Sequence, residues 1–69
     1  MISYKPFWKL LKDKNISTYK LIYTFGIGKG TIHRMKNDKN ITTRTVDDIC
    51  SILHCKVEDI MVYIEDEKK

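Results

Sequence analysis

The feature that most constrains this sequence is a break in helical periodicity within residues 17–36, STYKLIYTFGIGKGTIHRMK. Apolar residues recur at helical spacing before the break, and a second apolar set follows in another phase. Gly26 stands between the two sets, and glycine can adopt the positive φ that a sharp corner requires. The pattern predicts a short helix over residues 18–24, a tight turn through Gly26, and a second helix over residues 28–36.

Two short helices joined by such a turn form a helix-turn-helix. Its apolar and glycine positions are Leu21, Phe25, Gly26, Ile27, Ile32 and Met35. The pattern continues on two later helices at Thr42, Val46, Ile49, Cys50, Leu53 and Ile60. In these positions the chain resembles Cro/CI-type DNA-binding domains over roughly residues 5–62. It departs from the family pattern at Thr18, where the family usually has Gln, and at Ile22, where it usually has Ala. The second departure implies a slightly larger separation of the motif helices.

The rest of the chain predicts three more helices packed around the motif. Their apolar stripes are Phe7, Leu10 and Leu11; Val46, Ile49, Cys50 and Leu53; and Val57, Ile60 and Met61. Pro6 suits a first helical turn. Ser17 is a good N-cap for the second helix, and Thr42 is a good N-cap for a fourth helix that reaches about Leu53. Trp8 lies beside the first stripe and is expected to wall the core. We predict one all-α domain over residues 1–69, a five-helix repressor-like bundle containing the helix-turn-helix.

The terminal segments, residues 1–5 and 62–69, each contain a short β-prone triplet, Ile2-Ser3-Tyr4 and Val62-Tyr63-Ile64. These triplets predict an antiparallel ribbon between the chain ends. A lone two-stranded ribbon is marginal in water, and its exposed edge offers a contact for a second copy. We therefore expect a homodimer joined through the terminal segments. The alternative is that the triplets close one monomer's ribbon and bury their side chains on Phe7 and Ile60.

The charge of the chain is divided unevenly along its length. Residues 1–36 carry eight basic side chains and one acidic side chain, whereas residues 37–69 carry five basic and eight acidic ones. The first part has a net charge of +7 and the second −3, which gives the +4 of the whole chain. A basic half and an acidic half favour one face for a polyanion and another for a different partner. The alternative is a solvated surface with chance asymmetry.

In the family that this chain resembles, the second motif helix lies in the major groove of double-stranded DNA and leads with its N-terminal residues. The resemblance implies that the DNA-contacting residues are Thr18, Tyr19, Gly28, Lys29, Gly30, Thr31, His33, Arg34 and Lys36. Arg34 can present two donors to guanine, whereas Lys29 and Lys36 are flexible point charges suited to phosphate. Tyr19 and Tyr23 either touch phosphates or pack on the first helix.

Several other classes of function find no support in the sequence. It has no nucleophile elbow, phosphate loop or metal-ligand pattern, so we expect no enzyme activity, cofactor or small-molecule substrate. Cys50, His54 and Cys55 lack zinc-site spacing and a fourth ligand, so no metal is expected. No run of about 18 or more apolar residues and no secretory signal is present. We expect a cytoplasmic protein without a membrane partner.

These observations lead to two functional hypotheses. The first is sequence-specific binding of double-stranded DNA by a small transcriptional regulator. The second is a protein-interaction module of the same fold, antitoxin-like or regulator-binding. The acidic second half and the glycines at positions 28 and 30 keep the second hypothesis open, because glycine has no side chain with which to read a base.

Overall fold

The computed structural model of the chain describes residues 1–65, which form four α-helices, one 3-10 turn and a two-stranded sheet. In chain order these are β1 (Ile2–Ser3), α1 (Lys5–Asp13), α2 (Thr18–Tyr23), α3 (Lys29–Lys36), α4 (Thr43–Leu53), the 3-10 turn (Val57–Asp59) and β2 (Val62–Tyr63). The two motif helices differ from their predicted bounds by one residue each. No helix within residues 1–65 is long and apolar enough to cross a membrane.

Side-chain caps explain why α2 and α4 begin where they do. Ser17 Oγ accepts a hydrogen bond from the Lys20 backbone N–H at 3.1 Å. Thr42 Oγ1 accepts one from the Thr45 N–H, also at 3.1 Å. Each bond satisfies a donor that the first helical turn leaves without an intrahelical partner. Both caps agree with the sequence prediction.

Residues with positive φ end α2 and α3. Gly26 turns the chain after α2 with φ 78°, and this turn lets the Ile27 N–H reach the Leu21 carbonyl at 3.0 Å. Asp38 follows α3 with φ 53°. There the Lys39 N–H donates to the Arg34 carbonyl at 2.8 Å, which is the longer bond of a Schellman motif.

One apolar core takes side chains from all four helices. Its buried members are Tyr4, Phe7, Leu11, Leu21, Ile27, Ile32, Met35, Val46, Ile49, Leu53 and Ile60. Trp8 packs at its edge, with its ring 4.9 Å from that of Phe7 in an edge-to-face arrangement, as predicted for a core wall. Ile22 is half-buried against the same core.

The predicted fifth helix is wrong. Only Val57–Asp59 forms a helical turn, and that turn is of the 3-10 type. The chain enters β2 at Val62, so too few residues are left for an α-helix to extend. The Asp59 carboxylate accepts a hydrogen bond from the Lys56 N–H at 2.9 Å and fixes the start of the turn. Val57, expected to face the core, is 53% exposed.

The predicted terminal ribbon is confirmed within a single chain. β1 and β2 pair antiparallel, with Ile2 opposite Tyr63, and the Ile64 N–H extends the pairing by donating to the Met1 carbonyl at 2.7 Å. Ser3 is buried, but Ile2, Val62, Tyr63 and Ile64 remain exposed. The ribbon therefore closes without burying the apolar side chains of β2. Residues 66–69 of the second terminal segment lie outside the described residues.

Candidate nucleic-acid interface

The two motif helices bury one side and expose the other. Leu21 on α2 and Ile32 and Met35 on α3 are buried in the core. Because these residues fix the rotation of each helix, the remaining α3 side chains face outward. Residues 17–36 contain four basic side chains and no acidic one, so the outward surface of the motif is positively charged. A surface of this kind attracts a polyanion.

Of the nine residues predicted to contact DNA, seven are exposed and two, Thr18 and Thr31, are half-buried. The structure gathers four of the nine into two groups. Tyr19 and Lys29 belong to one group, at the α2–α3 junction, and Thr31 and Arg34 belong to the other, beside the loop that follows α3. The other five belong to neither group and are Thr18, Gly28, Gly30, His33 and Lys36.

The first group, called the aromatic row below, consists of the Tyr19 and Tyr23 rings and the Lys29 side chain next to them. The two tyrosine rings lie 4.7 Å apart, and Lys29 Nζ lies 5.5 Å from the centre of the Tyr23 ring. The tyrosines are 70% and 59% exposed, so they pack on each other rather than in the core. The row links the surface of α2 to the first residue of α3. Tyr23, absent from the predicted contact residues, is its centre.

The second group lines a shallow depression of about 330 Å³ between α3 and the start of α4, together with Asn40, Ile41, Thr42 and Thr45. Arg34 Nε donates a hydrogen bond to the Asn40 carbonyl at 2.7 Å. This bond uses the Nε–H donor and leaves the N–H donors of the two terminal nitrogens for other partners. Asn40 is absent from the predicted contact residues because its bonded atom is a backbone carbonyl, which carries no side-chain signal.

The first turn of α3 has no side-chain cap. Gly28 occupies the N-cap position. Its carbonyl accepts a hydrogen bond from the Thr31 N–H at 3.1 Å, so the N–H groups that precede the first intrahelical bonds are those of Lys29 and Gly30. A Cβ added at Gly28 or Gly30 would meet no atom within 4 Å. Packing therefore does not require glycine at either position. The absence of side chains instead leaves the backbone open to close approach from outside.

At the other end of α3, the C-cap residue Asn37 contacts His33 through its side chain. The Asn37 side-chain amide donates to the His33 carbonyl at 2.9 Å and lies 3.5 Å from His33 Nε2. The imidazole is exposed and is held near the last turn of the helix.

The cysteines lie away from this surface. Cys50 and Cys55 are half-buried free thiols. Burial, aided by the neighbouring Cys50, raises the pKa of the Cys55 thiol to about 11, so it stays protonated at neutral pH and is a poor nucleophile. Within residues 1–65, no group of three or more His, Cys, Asp or Glu side chains could hold a metal ion.

Two comparisons with known proteins found a match. A family model described as the Cro/C1-type helix-turn-helix DNA-binding domain matches residues 7–66. The crystal structure of the transcriptional regulator VanUg (Form II) superimposes with a TM-score of 0.84 at 28% sequence identity, covering 94% of this chain and 87% of that chain. No curated protein matches the chain. Because the family model spans most of its length, the chain belongs to the Cro/C1-type helix-turn-helix family of DNA-binding domains.

Proposed function

We propose that this protein is a non-enzymatic transcriptional regulator that binds double-stranded DNA by placing α3 in the major groove. The observation that carries the proposal is the exposed, basic face of α3, whose opposite face is fixed in the core by Ile32 and Met35. The major groove of B-DNA is wide enough to admit one α-helix. A helix held on one side and open on the other can enter that groove without unfolding.

The start of α3 and the exposed side of α2 are proposed to grip phosphates. Lys29 and Tyr19 reach the same surface through the aromatic row, and a phosphate there would meet a positive charge and a hydroxyl donor. The backbone N–H groups of Lys29 and Gly30 would add donors at the positive end of the helix dipole. Lys36 would contact the backbone at the far end of the helix, and Thr18 a phosphate at the start of α2.

Arg34 is proposed to read a base. Its Nε is bonded to the loop, so its two terminal nitrogens can approach guanine O6 and N7 end-on. Thr31 shares the depression beside Arg34 and can bond a base or offer its methyl group to thymine. His33, one residue before Arg34, can donate to or accept from a base edge or phosphate.

We further propose that residues 1–69 act as a single domain and that two copies form a homodimer through the terminal ribbon. The exposed apolar side chains of the ribbon support this proposal. A two-fold dimer matches a palindromic site, with the two recognition helices about 34–36 Å apart.

The test measures the binding constant K for random and selected duplex DNA at several salt concentrations. If one monomer neutralises about four phosphates, log K should fall with log salt at a slope near −3.6. Selection of bound sequences from a random pool then identifies the preferred site. A flat salt response, with no enriched sequence, would instead favour the protein-interaction module.

A further inference from the structure

A chain of contacts runs from the core of the protein to the outward surface of α3. The Tyr4 side chain is only 2% exposed, and its hydroxyl donates to the Lys39 carbonyl at 2.7 Å. The next carbonyl along the chain, that of Asn40, accepts the bond from Arg34 Nε at 2.7 Å. Two successive carbonyls of one loop thus bind a core side chain and the arginine of α3.

Tyr4 is well placed to control this loop. It lies at the end of β1 and at the N-cap of α1, 35 positions away from its partner in sequence. Its ring is held in the core, so its oxygen occupies a fixed position. Burial raises the pKa of the Tyr4 hydroxyl. A backbone hydrogen bond from Ile41 opposes that rise, the Asp38 charge adds to it, and the Arg34 charge opposes it.

We propose that Tyr4 is a positioning residue for Arg34 and that its hydroxyl, by fixing the Lys39–Asn40 carbonyls, sets the orientation in which the guanidinium meets DNA. An arginine side chain loses considerable rotational freedom when it binds, and holding it beforehand reduces that loss. The inference rests on the proposed base-reading role of Arg34. It adds that specificity depends on a buried residue that never touches the DNA.

The competing explanation is that the Schellman motif alone holds the loop, because the Lys39 N–H already donates to the Arg34 carbonyl. Tyr4→Phe separates the two explanations, since it keeps the ring in the core and removes only the hydroxyl. The matched control is Tyr63→Phe, which removes a hydroxyl from a tyrosine that is 66% exposed.

The first experiment needs no DNA and measures hydrogen exchange of the Arg34 Nε–H by NMR at a temperature where each variant is folded. We expect slow exchange in the wild type and in Tyr63→Phe, and exchange faster by about threefold or more in Tyr4→Phe, as for residues coupled in one hydrogen-bond network. Unchanged exchange in Tyr4→Phe would overturn the proposal.

A wild-type measurement covers the case in which Tyr4→Phe fails to fold. If the loop and Arg34 are ordered together, the Arg34 Nε–H and the Ile41 backbone N–H should share one opening free energy in native-state exchange. Independent opening of the two groups would contradict the proposal.

The second experiment is a double-mutant cycle on DNA with Tyr4→Phe, Arg34→Ala and the double variant. The readout is the affinity ratio between the preferred site and the same site with the Arg34-read base pair exchanged. We expect Tyr4→Phe to lower this ratio by about threefold or more alone and to have no further effect in the Arg34→Ala background. If Tyr4→Phe lowers the ratio equally in the wild-type and Arg34→Ala backgrounds, Tyr4 does not act through Arg34 and the proposal is overturned. If Arg34→Ala leaves the ratio unchanged, the proposed base reading fails, and hydrogen exchange still decides the coupling.

Discussion

Arg34 and Lys29 are both exposed basic residues of α3, yet their surroundings differ. The Arg34 guanidinium is bonded to a backbone carbonyl, which restricts its direction. Lys29 lies over the Tyr23 ring, an exposed cation–π contact that leaves its charge in solvent and its stem flexible. A directed, planar donor suits recognition of one base, whereas a mobile point charge suits any phosphate within reach.

Substitution of these two residues should therefore have different effects. Arg34→Ala is expected to cost about 1–3 kcal/mol at the preferred site and to relax one base position, whereas Lys29→Ala should weaken all sequences nearly alike. Affinities for selected and random duplexes, measured at one salt concentration, check both expectations. If both variants lose affinity equally on both DNAs, Arg34 does not read a base.

At the scale of the elements, the orientation of α3 depends on the packing of its inner face in the core to which α2 also contributes. Leu21 is fully buried and lies on the inner face of α2, and Ile32 and Met35 come from α3. The helices themselves are short, and short helices are marginal without tertiary packing. The outward surface of α3 is therefore only as stable as the apolar core beneath it.

Truncation of a side chain in this core should unfold much of the protein. Leu21→Ala is expected to cost about 2–5 kcal/mol because it leaves a cavity, which is comparable with the ~5 kcal/mol total stability at the low end for small domains. Val57→Ala, at an exposed aliphatic residue, is the matched control and should change stability little. Thermal melting by circular dichroism measures both. A Leu21→Ala protein with wild-type melting would show that α2 does not pack as described.

Substitution of Gly30, in the first turn of α3, should change stability and DNA affinity in opposite directions. Gly30→Ala is expected to stabilise the helix by up to about 1 kcal/mol, since the added methyl group meets open space. The same methyl should hold phosphate away from the backbone and weaken binding to all sequences. Melting and DNA titration of one sample measure the two effects. A more stable variant with unchanged affinity would contradict close approach of the backbone.

At the scale of the whole molecule, the terminal ribbon joins residues 2–3 to residues 62–63 but leaves apolar side chains exposed. Ile2 and Tyr63 face each other across the two strands, and both are exposed. Within residues 1–65, each of the two strands has one edge that pairs with no further strand. Contact with a second copy through this surface would cover the apolar side chains and extend the sheet.

A charge placed on this surface should weaken the proposed homodimer without unfolding the chain. Tyr63→Lys is expected to shift sedimentation equilibrium toward monomer, because a lysine ammonium is costly to bury without a partner. Val57→Lys, at an exposed apolar residue outside the ribbon, is the control and should leave the equilibrium unchanged. A wild-type protein that remains monomeric at high micromolar concentration, with and without DNA, would exclude the dimer.

Local signals in the sequence determined most of the architecture. Helical periodicity predicted α2, α3 and α4 within a residue or two, and Ser17 and Thr42 marked two of their starts as observed. Gly26 marked the corner between the motif helices. These features follow from side-chain spacing, caps and backbone sterics, all of which act over a few residues. Pairing of the terminal triplets followed from their β-prone composition.

Tertiary structure decided what depends on distant parts of the chain. The fifth helix stops as a 3-10 turn because β2 must begin at Val62 to meet β1. Tyr19 and Tyr23 pack on each other because neither faces the core. The link from Tyr4 through the Lys39 and Asn40 carbonyls to Arg34 joins residues far apart in sequence through backbone atoms. No side-chain pattern encodes such a link, because every residue has a carbonyl and only the folded chain selects which ones are bound.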